Sequence, residues 1–340
     1  MRKDLIISTS AVTLLVSTWG HVVRMAVGGR SLVLLGIVLG WTFNSFAQDP
    51  PSSGLKSGRI VGYLPDYRLE SFDESTAILL TDLIVFSAEV DAYGRLDTRR
   101  LPPKQITRLK QIKQRSRISL ILCVGGWDRS RGFAAVSASD SARARFVQEA
   151  TRFCLEQRFD GIDLDWEHPA NLAEQQGYAR LISELKAAFR EHALTVSVTM
   201  AAWQELPAEA FQVVDAIQVM AYDHDGQHST LEGARRDLQK LVDRGAPPEK
   251  LLLGLPFYGR GIADRQQVLT YAEIVQKHQP KPEVDEVAGL YFNGPRTIEK
   301  KLELARELKL AGVMVWEVGQ DAPGNASLLK WIHSKYGLRD

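Results

Sequence analysis

The sequence predicts an α/β protein built as a closed (β/α)8 TIM barrel. Eight short apolar runs recur between residues 59 and 315, and many are separated by amphipathic stretches with apolar residues at helical spacing. Repeated strand–helix units place strands in parallel with helices on the outside, and eight such units suit a closed barrel. The same periodicity is compatible with an open parallel sheet.

The elements follow in order along the chain. Residues 1–47 stand apart: Arg24 and Arg30 precede a compact apolar run from Ser31 to Trp41, followed by Ser45-Phe46-Ala47. That layout predicts a secretory signal peptide, with Met25 a candidate true start, and an uncleaved membrane anchor as the alternative. Residues 48–57, rich in Pro and Ser, read as a linker, and residues 58–340 as the barrel domain. The expected location is therefore secreted or periplasmic, with no membrane partner unless the N-terminus stays uncleaved.

Within the barrel domain the expected strands are Arg59–Tyr63, Asp82–Phe86, Ser119–Val124, Gly161–Asp165, Thr195–Met200, Ala216–Met220, Leu251–Leu255 and Gly312–Val315. Helical spacing is clearest over Ser141–Gln157, Leu172–Glu191, Leu231–Arg244 and Thr297–Leu308. Lys plus Arg (42) nearly balances Asp plus Glu (41), so no net field draws nucleic acid or an anionic membrane. A neutral polymer such as a polysaccharide is the natural partner, and a monomer is expected. The two cysteines sit on apolar faces, Cys123 in a strand and Cys154 in a helix, and read as buried free thiols rather than a bridge.

Active sites of eightfold barrels lie at the C-terminal ends of the strands. There the fourth strand is anomalous: it reads Phe159-Asp160-Gly161-Ile162-Asp163-Leu164-Asp165-Trp166-Glu167. Alternation sends Ile162, Leu164 and Trp166 to one face and Asp163, Asp165 and Glu167 to the other, with same-face neighbours about 7 Å apart. The apolar set suits the helix-packed exterior, so three carboxylates point into the barrel. Like charges confined together raise one another's pKa, which makes the array a general-acid device. A solvated strand end would explain the carboxylates without chemistry, but not their alternation with an apolar set.

These residues carry a resemblance. Asp160-x-x-Asp163-x-Asp165-x-Glu167, as DGIDLDWE, resembles the signature of glycoside hydrolase family 18, the chitinase family. LILCVGGW (Leu120–Trp127), QVMAYDHDG (Gln218–Gly226), LLGLPFYGR (Leu252–Arg260) and GVMVWE (Gly312–Glu317) resemble the family's third, sixth, seventh and eighth strand motifs. The resemblance spans about residues 58 to 335. It implies a retaining endo-glycosidase of β-1,4-linked N-acetylglucosamine chains, chitin or chito-oligosaccharides, in which the substrate's 2-acetamido carbonyl is the nucleophile and an oxazolinium ion the intermediate. Glu167 matches the general acid, Asp165 the group that holds the acetamido N–H, and Asp163 the partner that shares a proton with Asp165. Tyr222 matches the tyrosine that orients the acetamido oxygen, Asp223 a contact to the sugar or the acid, and Trp316 the aromatic floor. By the same resemblance Met220 lines the pocket. Trp127 and Tyr63 are expected on the cleft wall, and Arg260 is a substrate contact or an ordinary ion-pair partner. The family needs no metal or other cofactor, so the spacing of Asp223, His224, Asp225 and His228 is not taken as a metal site.

Two departures stand out. Cys123 occupies the position where the family usually has serine, and His168 follows the acid where tyrosine is common. The segment between the seventh and eighth strands is also short, with one helical stretch at Tyr271–Gln279, so little or no α+β insertion is expected and the cleft is shallow. Two other readings remain open at this level. One is hydrolysis of another N-acetylglucosamine-containing glycan, such as a peptidoglycan fragment or an N-glycan core. The other is a non-catalytic chitinase-like lectin, against which the presence of both Glu167 and Asp165 argues.

Overall fold

Strands form at each of the eight apolar runs: β1 (Arg59–Pro65), β2 (Asp82–Val90), β3 (Ser119–Gly125), β4 (Gly161–Asp165), β5 (Thr195–Met200), β6 (Ala216–Val219), β7 (Leu251–Pro256) and β8 (Gly312–Trp316). The computed structural model describes residues 58–337; the expected leader and linker lie outside the described residues. All neighbouring pairs are parallel, and each strand pairs with the next in sequence. The circle closes where β8 pairs with β1, with Arg59 beside Gly312. A closed ring leaves no edge, which excludes the open sheet.

Alternation sorts each strand's side chains. Val61 and Tyr63 of β1, Ile84 and Phe86 of β2, Ile121 and Cys123 of β3, and Met314 of β8 fill the barrel interior. Their sequence neighbours, such as Leu83, Val85, Leu122, Ile162, Leu164 and Val313, pack outward against the helices. The helices are α1 (Pro103–Ser116), α2 (Phe133–Ala138), α3 (Asp140–Gln157), α4 (Leu172–Arg190), α5 (Ala208–Val213), α6 (Leu231–Asp243), α7 (Tyr271–His278), α8 (Pro295–Glu307) and α9 (Leu328–Tyr336). Their starts are set by local chemistry. Ser139, Asn171, Thr230 and Ser327 each cap a helix by accepting a backbone N–H. Proline opens α1 and α8, where its missing N–H costs nothing.

The segment between β7 and β8, where little or no α+β insertion is expected, carries a small one, whose strands are too short to leave a periodicity in the sequence. Four short strands, Tyr258–Gly261, Val268–Thr270, Glu286–Val287 and Leu290–Tyr291, pair antiparallel, and α7 enters through a Thr270–Glu273 capping box. Cys123 and Cys154 are buried free thiols, as their apolar settings predict.

Candidate active site

The acidic strand behaves as alternation requires. Ile162, Leu164 and Trp166 join the outer core, whereas Asp163 and Asp165 lie inside the barrel, 0% and 2% exposed. Glu167 stands at the rim, two residues past the strand end. Asp163 is anchored by three hydroxyls: Tyr63 donates to Oδ2 at 2.8 Å, Thr199 to Oδ2 at 2.8 Å and Ser197 to Oδ1 at 2.5 Å. Asp165 is treated differently. Its Oδ1 is buried without a partner, and no hydrogen bond links it to Asp163.

This difference distributes the charge. Burial raises the pKa of both groups, but hydrogen bonds from Ser197, Tyr63 and Thr199 restrain the rise at Asp163. Asp165 has no such donors; burial, then the charges of Glu167 and Asp163, push it far above the usual carboxylate range. In a pair that holds one proton, the negative charge therefore rests on Asp163 and the proton on Asp165. Glu167 is pushed up to about 7, by burial first and then by the nearby charge of Asp223. The acid at the rim thus holds a proton near neutral pH.

The chain makes room for this array with two glycines. Gly125 ends β3 and Gly126 follows it, with φ of 103° and 99°, the left-handed region that favours glycine. A Cβ on Gly125 would lie 2.2 Å from the carbonyl oxygen of Asp165, and one on Gly126 2.3 Å from the Phe86 ring. The Gly126 N–H donates to the Asp165 carbonyl at 2.6 Å, and Ser130 Oγ accepts from the Glu167 N–H at 3.1 Å. The loop after β3 therefore fixes the backbone that carries both acids.

Opposite the acids, the β6 end supplies Met220, Tyr222 and Asp223. Met220 and Trp316 pack against the interior cluster that includes Tyr222, Tyr63 and Phe86. The Trp316 ring sits 5.5 Å from Tyr63 and 4.9 Å, edge-on, from Phe86, an orientation locked by aromatic contacts. Asp223, at φ 65°, accepts from Tyr258 Oη at 2.7 Å and Arg260 Nε at 2.9 Å. Burial works to raise its pKa, but His228, Tyr258 and Arg260 outweigh it and hold the carboxyl below its usual value. Asp223 is therefore charged where Glu167 is neutral.

The structure brings Glu167, Asp165, Asp163, Tyr222, Asp223, Met220 and Trp316 to one end of the barrel. Arg260 reaches the site through its ion pair with Asp223. Trp127 stands on the loop after β3, 71% exposed. Tyr63, expected on the cleft wall, is instead 1% exposed and lies beneath the acids, holding Asp163. Its position on β1, alternating with Leu64, sends the side chain inward rather than to the wall. In the stretch after β6, His224 Nε2 lies 2.8 Å from Asp237 Oδ2, while the buried His228 keeps its Nδ1 3.6 Å from Asp223 Oδ1.

Several site residues were not singled out from the sequence. Ser197 and Thr199 alternate on β5 beside the acidic strand, a small-polar pattern that matches the inward face. Tyr258 follows β7 within the PFYGR stretch. Trp203, 56% exposed after β5, meets the His168 ring edge-on at 4.4 Å, so the residue that departs from the family pattern is paired with an aromatic of the neighbouring loop.

The fold is shared with the GH18 chitinase ChiB from the chitin utilization locus of Flavobacterium johnsoniae (TM-score 0.74, 28% identity, covering 82% of this chain and 94% of that one). It is shared also with a class V chitinase mutant from Cycas revoluta in complex with (GlcNAc)3 (TM-score 0.72, 24% identity, covering 82% of this chain and 100% of that one). Among sequence relatives, "Chitinase 1" of Aphanocladium album is 26% identical over 295 residues, covering 70% of this chain and 69% of that protein. "Probable chitinase 2" of Drosophila melanogaster is 28% identical over 286 residues, 64% of this chain, and the match spans 59% of the fly protein's length. Residues 59–321 match the model for "Glycosyl hydrolases family 18", and the chain belongs to that family.

Proposed function

We propose that this protein is a secreted, retaining endo-glycosidase that hydrolyses β-1,4-linked N-acetylglucosamine chains by substrate-assisted catalysis. The observation that carries the reading is the placement of the acids: Asp163 and Asp165 buried on the inward face, Asp163 held by three hydroxyls, Asp165 with an unpartnered Oδ1, and Glu167 at the rim beside them. Glu167 donates its proton to the glycosidic oxygen as the C1–O bond breaks. The acetamido carbonyl oxygen of the same sugar attacks C1 from the opposite face, giving an oxazolinium ion. The unpartnered Oδ1 of Asp165 is free to accept the acetamido N–H, and the charge held on Asp163 below it stabilises the developing cation. Tyr222 orients the acetamido oxygen, and Trp316 supports the apolar face of the sugar. The Glu167 carboxylate then takes a proton from water as the water opens the ring at C1, so the anomeric configuration is retained.

Attack within a chain rests on the shortness of the segment between β7 and β8, the basis for expecting a shallow cleft. Secretion rests on the basic, apolar and small-residue pattern of residues 24–47. The experiment is to incubate the protein with fully N-acetylated and fully deacetylated chito-oligosaccharides and to identify products by mass spectrometry. Cleavage of the acetylated series alone is expected, with internal bonds cut first. Equal cleavage of both series would refute the acetamido nucleophile. Binding without cleavage would favour a lectin, or a hydrolase of another N-acetylglucosamine glycan.

A further inference from the structure

Behind the β6 end of the site lies a buried cation that the mechanism does not use. Lys301, on α8, is 0% exposed. Among the described residues no carboxylate lies within ion-pair distance of it. Its Nζ instead donates to three neutral acceptors: Ser229 O at 2.9 Å, Ser229 Oγ at 2.7 Å and Asn293 Oδ1 at 2.8 Å. Burial drives its pKa down to about 7. An ammonium buried without a counter-charge is costly. Packing alone gives no reason for it, since Ile298, Leu302 and Ala305 on the same helix bury apolar side chains.

What the three acceptors share is one loop. Ser229 Oγ, while accepting from Lys301, donates to the Ala221 carbonyl at 3.1 Å, and Asn293 Nδ2 donates to the Ser229 carbonyl at 2.8 Å. Ala221 immediately precedes Tyr222 and Asp223. The loop from 221 to 229 therefore leaves and returns to a single knot at Ser229. Between those ends it passes through two left-handed residues, Asp223 (φ 65°) and Gly226 (φ 72°), closed by the His224 N–H donating to the His228 carbonyl at 3.1 Å. Other ties hold the middle of the loop from outside, among them Tyr258 and Arg260 on Asp223 and Asp237 on His224, but the bond from Ser229 Oγ to the Ala221 carbonyl is the one that joins its two ends.

We propose that Lys301 is a positioning residue: through Ser229 and Asn293 it clamps both ends of loop 221–229 and so fixes Tyr222 and Asp223 against the acids. It touches neither the sugar nor Glu167. As a role in catalysis, this rests on the function proposed above.

The test uses the full chain with Lys301→Met, which removes the charge but keeps the length, Ser229→Ala, and Lys300→Met as an exposed control. Two quantities are read: hydrogen exchange of amides 221–229, and kcat and KM on an N-acetylated chito-oligosaccharide. In Lys301→Met the loop amides are expected to exchange at least about tenfold faster while the barrel strands keep parental rates. Its kcat should fall about tenfold or more, with KM within about threefold. Ser229→Ala should move both quantities the same way by a smaller factor and decides the matter if Lys301→Met does not fold. Lys300→Met should match the parent. Parental loop exchange or parental kcat in a folded clamp variant would overturn the proposal. Parental protein that cleaves no chito-oligosaccharide would overturn the functional reading instead, and the exchange rates would still judge the clamp.

Discussion

Replacing Asp223 by Asn tests the electrostatics of the acid directly. The midpoint of Glu167 near 7 lies about 2.5 pH units above the ordinary glutamate value of 4.5, about 3.4 kcal/mol at 1.36 kcal/mol per unit. Burial is the larger raising cause and the Asp223 charge the smaller, while a backbone hydrogen bond from Trp127 works against both, so the share supplied by Asp223 is on the order of one unit. Asn keeps the shape and can still accept from Tyr258, but it leaves Arg260 without its counter-ion. Both effects favour ionised Glu167. The sign follows: the acid must be protonated to act, so activity falls as pH rises through its pKa, and a lower pKa brings that fall to lower pH. The alkaline limb of kcat/KM should move from about 7 to between about 6 and 6.5. The assay is kcat/KM on a fluorogenic chito-oligosaccharide between pH 4 and 9 at constant ionic strength. The limb's position is the readout, independent of any drop in the plateau. A limb that stays in place or moves up would refute the coupling.

Three further outcomes follow from the same geometry. Glu167→Gln should lower kcat by at least about a hundredfold, within the range attributed to general acid catalysis, while oligosaccharide Kd measured by calorimetry stays within a few-fold of the parent. Asp165→Asn should abolish turnover yet raise the melting temperature at pH 7 and above. The folded-state pKa of Asp165 is raised, so the native state binds more protons than the unfolded chain, and stability falls as pH rises above the unfolded value. The amide removes that loss and sacrifices no hydrogen bond; a melting temperature below the parent's at pH 8 would contradict the assignment. Trp127→Ala should raise KM severalfold for long oligosaccharides with stability within about 0.5 kcal/mol, as for other exposed positions; an unchanged KM would remove Trp127 from the cleft wall.

The barrel strands are legible in the sequence because each is a short apolar run with a fixed period. Ring closure is legible only through the number of repeats, and the pairing of Arg59 with Gly312 across the length of the chain decides it against the open sheet. The small insertion strands escape notice for another reason: they are two to four residues long, and Val268 among them is exposed, so no periodicity develops. The acidic strand declares itself through alternation alone, and that same alternation on β1 places Tyr63 beneath the cleft. The three hydroxyls that anchor Asp163 come from two other strands, and only their registration in the barrel unites them. Lys301 is the extreme case. In the sequence it sits among charged neighbours on a helix that reads as a solvated face, and its burial is visible only in the folded packing of α8 against the β6 loop.

The central claim is that the substrate's own acetamido group attacks C1 while Glu167 supplies the proton. It is tested most directly by following the first turnovers of an N-acetylated chito-oligosaccharide by proton NMR and assigning the anomer of the new reducing end before it mutarotates. The account predicts the β-anomer, and no turnover of the deacetylated chain under the same conditions. Initial formation of the α-anomer, which requires direct attack by water, would contradict it.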